Sequence, residues 1–279
     1  MLTATLPLHM ERELKETMLL VQDPCWLLRA STARKYTRYM VKSTVADGKL
    51  INEAIKVCKA KMIVFCCYKN QCEILAAALG CNYFYAGSSF NTDFIQRWKT
   101  SGGCVVATSL LGTGVNYKDV ALTVHVGLPY GLIDFAQESG RAGRDGEVVA
   151  SFILLEKNWL AVESERRPEE TQEWSVDEKK MIAFVNTEGR RRLVLGKSFD
   201  GNSAQDCKSG DMERCDRYCP GVSDSTRSQK EMSVERDRVE DVLDQIAIGC
   251  PVCWVTSALG FGPESGCMHK AWGQACTQR

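Results

Sequence analysis

Residues 62–155 repeat one unit, a run of about five apolar residues followed by a stretch with helical periodicity. The runs are residues 62–67, 82–85, 104–108, 122–126 and 151–155, and helical segments lie between them at 71–79, 94–100 and 132–137. Strands that alternate with helices imply parallel crossover units, so the predicted fold is α/β, a mostly parallel sheet with helices on both faces. A further strand is expected at residues 36–42. Further helices are expected at 9–20, with Met10, Leu14, Met18 and Leu19 on one face, at 49–60 and near 176–185. In such a sheet ligands sit beyond the carboxyl ends of the strands, which directs attention to the loops after Thr108 and Val126.

The 279 residues suffice for about two domains, and 44% hydrophobic with 25% charged residues excludes a disordered chain. No window approaches the ~18 continuous apolar residues of a membrane span, so no membrane partner is expected. Lys plus Arg (35) equals Asp plus Glu (35), so any nucleic-acid binding must come from a local surface. Fourteen cysteines raise the question of a disulfide scaffold. The first residues show neither a basic region nor a long apolar stretch, so no secretory signal is expected, and in a reducing compartment cysteines mean packing or metal. Cys25, Cys58, Cys66, Cys67, Cys72, Cys81 and Cys104 lie in apolar periodic segments and read as packing. The seven after residue 206 fall in polar sequence with short spacings and are candidate ligands.

Two segments carry chemistry. Ala107-Thr108-Ser109-Leu110-Leu111-Gly112-Thr113-Gly114-Val115-Asn116 follows a buried run, and its glycines and hydroxyls let backbone and side-chain donors approach a phosphate. Gln137-Glu138-Ser139-Gly140-Arg141-Ala142-Gly143-Arg144-Asp145-Gly146 sets two arginines three residues apart, and their guanidinium forks suit phosphate oxygens and charge developing on a transferring phosphoryl group. His125, inside an apolar run, reads as a core histidine, and Arg190 to Arg192 as a solvated basic face with a nucleic-acid phosphate contact as the alternative.

With both segments in view, the chain resembles the RecQ-like superfamily of DNA helicases, specifically their second RecA-like motor lobe. Residues 62–67 look like helicase motif IV, 107–116 like motif V and 137–146 like motif VI. The opening Leu2-Thr3-Ala4-Thr5-Leu6-Pro7 looks like motif III, and Arg29, Thr32, Arg34 and Tyr39 fit the segment leading into the second lobe. The wording around Gly127-Leu128-Pro129-Tyr130 is nearest to fungal, telomere-linked members.

The resemblance implies a RecA-like lobe of an ATP-dependent 3′ to 5′ DNA helicase in the nucleus. Its DNA would be single-stranded or a junction of duplex and single strand. Arg144 would be the arginine finger, with Arg141 beside it and Gln137 positioning the motif. Thr108 and Ser109 would face DNA, while Gly112, Gly114 and Asn116 would shape the nucleotide side of motif V. Asn116 stands where the family usually has Asp, keeping an acceptor and losing a charge. The phosphate loop Gly-x-x-x-x-Gly-Lys-[Ser/Thr] and the Asp-Glu pair that hold ATP with Mg2+ belong to a first lobe, and the 279 residues contain neither, so this chain alone is expected not to hydrolyse ATP. The expected organisation is residues 1–23 as the end of a first lobe cut short at its amino side, then 24–157 as the second lobe. A helical, degenerate zinc-binding region at 158–220 would follow, then a linker or helix at 221–245 and a Cys/His-rich tail at 246–279.

The family's four-cysteine zinc site is matched by Cys207, Cys215 and Cys219, with Arg190 where the first cysteine would stand. Residues 201–238 are polar and are expected to hold little core unless metal ties them down. In the tail, Cys250-Pro251-Val252-Cys253 has zinc-ligand spacing, with Cys267, His269 and Cys276 as further candidates. The alternative function is a non-enzymatic nucleic-acid or protein binding module derived from a helicase.

Overall fold

The computed structural model describes residues 5–20, 29–44, 61–87, 92–109, 117–143, 146–156, 159–160, 173–207 and 212–217. Among the described residues six strands, β1 (Thr37–Thr44), β2 (Lys61–Cys66), β3 (Asn82–Phe84), β4 (Cys104–Ala107), β5 (Val120–Val126) and β6 (Val149–Glu156), form one sheet in the order β1-β6-β5-β2-β4-β3. Every pairing is parallel. The helices are α1 (Glu11–Thr17), α2 (Lys69–Leu79), α3 (Thr92–Ser101), α4 (Leu132–Ser139), α5 (Val176–Asn186) and α6 (Arg191–Phe199). The helix expected at 49–60 lies outside the described residues.

Strand alternation divides the core between the two faces. Met62, Val64 and Cys66 of β2 pack with Cys72, Leu75 and Ala76 of α2, while Ile63 and Phe65 pack on the other face with Trp98 of α3 and Ala142. Because helices cover both faces, β2 and β4 are buried almost throughout, which is why their sequences read as unbroken apolar runs. Helix α2 ends at Gly80 in the left-handed conformation (φ 60°), and α5 opens with a capping box between Ser175 and Glu178.

The second face continues into the helical pair that follows β6. Tyr39, Phe135 and Phe184 pack ring on ring, with centroids 4.9–6.2 Å apart, and Met181, Leu195, Phe199, Cys207 and Cys215 join the same cluster. The segment 212–217 lies along the free edge of β1. Glu213 N–H donates to Lys35 O at 2.8 Å, Asp216 N–H to Tyr39 O at 3.2 Å, and Val41 N–H to the Asp216 carboxylate at 2.9 Å. An edge strand is thereby covered rather than left open to pairing.

Three expectations are corrected here. The helix expected at 9–20 is a 3-10 turn at Leu8–Met10 and the seven-residue α1, and it buries nothing. Met18 and Leu19 of its expected apolar face are exposed, and α1 is held instead by the pairs Arg12–Glu16 and Lys15–Glu11. Arg191 and Arg192 are not a solvated face but are 1% and 2% exposed. The Arg191 guanidinium donates to both Asp216 oxygens at 2.6 and 3.0 Å and to the carbonyls of Phe184 and Val185. Arg192 donates to the carbonyls of Arg34, Thr37 and Glu213. Five donors in a rigid fork can satisfy several buried carbonyls at once, and that holds these charges in the interior. The polar stretch after residue 201 likewise puts Cys207, Met212 and Cys215 into the core.

Candidate functional site

The chemistry-bearing segments occupy two places joined by β5 and α4. Thr108 follows β4 directly, and its N–H bonds Phe84 O at 3.1 Å, which fixes it at the carboxyl edge of the sheet; Ser109 beside it is exposed. Gly112, Gly114 and Asn116 lie outside the described residues. Helix α4 starts near the same edge and runs back along the sheet, and Gly143 N–H donates to Val120 O at 3.2 Å, at the first residue of β5. The turn that carries Arg141 therefore lies at the amino end of β5, roughly 20 Å from the carboxyl edge at ~3.3 Å per residue. The expectation that the chemistry after Val126 lies at the carboxyl ends is corrected for this arginine, because the turn after α4 carries the chain from Glu138, beside His125, to Val120 at the amino end of β5.

Local packing holds α4 in place. His125 Nε2 meets Glu138 Oε2 at 3.0 Å inside the core, with the imidazole stacked on Phe65 at 5.0 Å, so the carboxyl end of β5 is tied to the last turn of α4. His125 is buried, as its apolar strand implies. At the other end Ile133 N–H donates to Asp177 Oδ2 at 3.2 Å, so a carboxylate from α5 satisfies a donor in the first turn of α4. Residue 131 is glycine at this approach because a Cβ there would collide with that same carboxylate. Exposed Gln137 donates to Thr5 Oγ1 at 2.8 Å, which joins the opening segment to this helix. Arg141 is buried, and its N–H bonds Glu138 O at 3.0 Å. Arg144 lies outside the described residues.

The segment leading into β1 is tied to α6. Arg29 donates to Leu6 O and Phe199 O, and the Asp200 carboxylate accepts from Thr32 N–H, Thr32 Oγ1 and Ser31 Oγ. Arg34 sits against Gly140, where an added Cβ would lie 2.5 Å from its guanidinium, and Tyr39 is in the core.

Partial burial raises the Asp177 carboxyl above its ordinary value, opposed by the Ile133 N–H, and burial with Glu138 and Asp177 nearby raises Asp134. A carboxyl raised in the folded state binds its proton more tightly there than in the unfolded chain. Its stabilising share is present below the unfolded value, roughly pH 4, and is lost as pH rises through the folded value. Asp177→Asn keeps an acceptor for Ile133 and removes one of these titrations. A shallower fall of Tm between roughly pH 4 and neutrality is therefore expected in thermal scans of the variant than of the unaltered chain. An identical pH dependence would mean that Asp177 does not carry this linkage.

Of the candidate metal ligands, Cys207 and Cys215 are described and buried, with sulfurs 3.8 Å apart. The Cys207 thiol donates to Cys215, which lowers Cys215 and raises Cys207. Two corners of a tetrahedral site with Zn–S bonds of ~2.3 Å lie ~3.8 Å apart, so the pair fits two positions of such a site. No group of three or more ligating side chains occurs among the described residues. Arg190 pairs instead with Asp206 at 2.5 Å. Cys219, Cys250, Cys253, Cys267, His269 and Cys276 lie outside the described residues.

Sequence alone assigns no role to Glu138, Asp177, Tyr68 or Tyr130. The first two act across elements, which no spacing reveals. The two tyrosines carry a usable signal, since both stand in loops that follow strands of a parallel sheet.

Residues 48–146 match the family described as helicase conserved C-terminal domain. The RecQ-like DNA helicase BLM of Xenopus laevis is 35% identical over 102 residues, 33% of this chain and 7% of that protein. The ATP-dependent DNA helicase RecQ of Pasteurella multocida is 29% identical over 164 residues, 54% of this chain and 26% of that protein. A protein of Acanthamoeba polyphaga mimivirus whose name describes an ATP-dependent RNA helicase is 24% identical over 262 residues, 82% of this chain and 46% of that protein. The chain spans less than half the length of each of these relatives. A parallel sheet covered by helices, a family match over residues 48–146 and RecQ-like relatives at modest identity make the central part of this chain similar to the C-terminal lobe of helicases.

Proposed function

We propose that this chain supplies the second motor lobe of an ATP-dependent 3′ to 5′ DNA helicase of the RecQ-like kind. The observation that carries the reading is the division of one unit into two places: Thr108 and Ser109 at the carboxyl edge of the sheet, and Arg141 to Gly143 in the turn at the amino end of β5, joined by β5 and α4. Such a unit can hold a polynucleotide at one end and sense a nucleotide at the other. The buried His125–Glu138 contact ties β5 to α4 between these places. ATP with Mg2+ would be held by the phosphate loop of a first lobe, and the bound triphosphate supplies the free energy for strand movement. Arg144 would reach its γ-phosphate, while Gln137 and Arg141 keep the turn in register with the opening segment. Cys207 and Cys215 would hold two corners of a structural zinc site beside the covered edge of β1.

The test is binding of the purified chain to single-stranded DNA, single-stranded RNA and blunt duplex DNA of equal length. Tighter binding to single-stranded DNA is expected, weakening by about five- to ten-fold in Thr108→Ala and falling with added salt, as phosphate contacts do. Unwinding by the motor that contains this chain is expected on duplexes with a 3′ tail and not with a 5′ tail. Equal binding to all three nucleic acids, or a preference for 5′ tails, would overturn the reading.

A further inference from the structure

The carboxyl ends of β5, β2, β4 and β3 lie side by side in that order, and aromatic rings stand along them. Tyr68 follows β2 and Tyr130 ends the loop after β5; they are 40% and 52% exposed. The Tyr130 hydroxyl donates to Cys67 O at 2.5 Å, and the Cys67 thiol donates to Leu128 O at 3.2 Å, so the two loops are tied together and the Tyr130 ring is anchored at its far end. At the end of β3, Tyr83 and Tyr85 stack with centroids 5.4 Å apart and planes 10° from parallel. Lys69, the residue after Tyr68, holds its ammonium 5.3 Å from the Tyr85 ring centre, bridging from the end of β2 to the end of β3. Thr108 and Ser109 stand at the end of the strand between them. At ~4.8 Å between strands the row runs roughly 15 Å.

Anchored ring faces beside an ammonium and two hydroxyls match one chemistry closely. Bases stack on the rings, and phosphates meet the cation and the hydroxyls. A duplex keeps its base faces internal and presents only edges in its grooves, so it cannot use the rings. We propose that Tyr130 and Tyr68 stack on bases of a single-stranded nucleic acid, so that this edge grips bases as well as phosphates. This rests on the reading that the edge binds nucleic acid, and it adds a contact that a backbone-only grip lacks.

The experiment is fluorescence anisotropy of the 279-residue chain with a labelled oligothymidylate and with an oligonucleotide of equal length made of abasic sites. Binding to the thymidylate is expected to be the tighter. Tyr130→Ala and Tyr68→Ala are each expected to weaken it by about 5- to 150-fold while leaving the abasic affinity unchanged. Tyr130→Phe, which keeps the ring, is expected to retain most of the affinity. Thr108→Ala is expected to weaken both ligands equally. Thymidylate affinity unmoved by both alanine variants, or abasic affinity falling in step, overturns the stacking inference while nucleic-acid binding stands. Binding of neither ligand by the unaltered chain overturns the nucleic-acid reading and this inference with it.

Discussion

Asp216→Ala is expected to cost about 3–5 kcal/mol of folding stability, read as a lower midpoint in urea. The variant removes both acceptor oxygens from Arg191, whose side chain is 1% exposed, and leaves a guanidinium in the interior with two carbonyls as its remaining partners. It also removes the acceptor for Val41 N–H, so the cover over β1 loosens at the same point. The double variant Arg191→Met/Asp216→Ala is expected to recover part of the loss, because a buried charge with no counter-charge costs more than no charge. Asp206→Ala is the control. Its partner Arg190 is 27% exposed at the side chain, so its charge can turn to water once Asp206 is gone, and an effect below about 1 kcal/mol is expected. Equal costs at the two aspartates would mean that burial does not set the strength of these pairs.

What the sequence discloses and what it hides follow from the range of the interactions involved. The strands were legible because a parallel strand covered on both faces must be apolar at every position, and β2, β4, β5 and β6 are observed within two residues of their apolar runs. The glycine-flanked arginines stood out because phosphate chemistry writes a local pattern. The burial of Arg191 and Arg192 was illegible. Their partners are an aspartate 25 residues away and main-chain carbonyls, and no residue type in the Arg triplet announces them. The exposed face of α1 failed for the opposite reason: periodicity shows that a helix has an apolar side, not that anything packs on it. The path of α4 was also hidden. A helix after a strand is readable, but its return to Val120, which separates the arginine turn from the carboxyl edge, is a property of the crossover.

Arg144→Ala is expected to lower DNA-stimulated ATP turnover by roughly a thousand-fold or more in the motor that contains this chain, with single-strand binding held within about two-fold. The two readouts separate because the two places are separate. On the proposed reading polynucleotide contacts fall to the carboxyl edge at Thr108, whereas Gly143, the residue before Arg144, is pinned to the amino end of β5. Arg141 is the poorer residue to test, since it is buried in the turn and its loss would mix folding with function. Arg144→Lys refines the result. A lysine keeps the charge but not the planar fork, so a deficit close to that of alanine is expected if bidentate contact with the phosphoryl oxygens is what the site supplies. The 279 residues carry no phosphate loop, so the assay must include the lobe that provides one. Turnover in that assay unchanged by Arg144→Ala, with DNA binding intact, would turn the assignment toward a helicase-derived binding module that holds a strand without spending ATP.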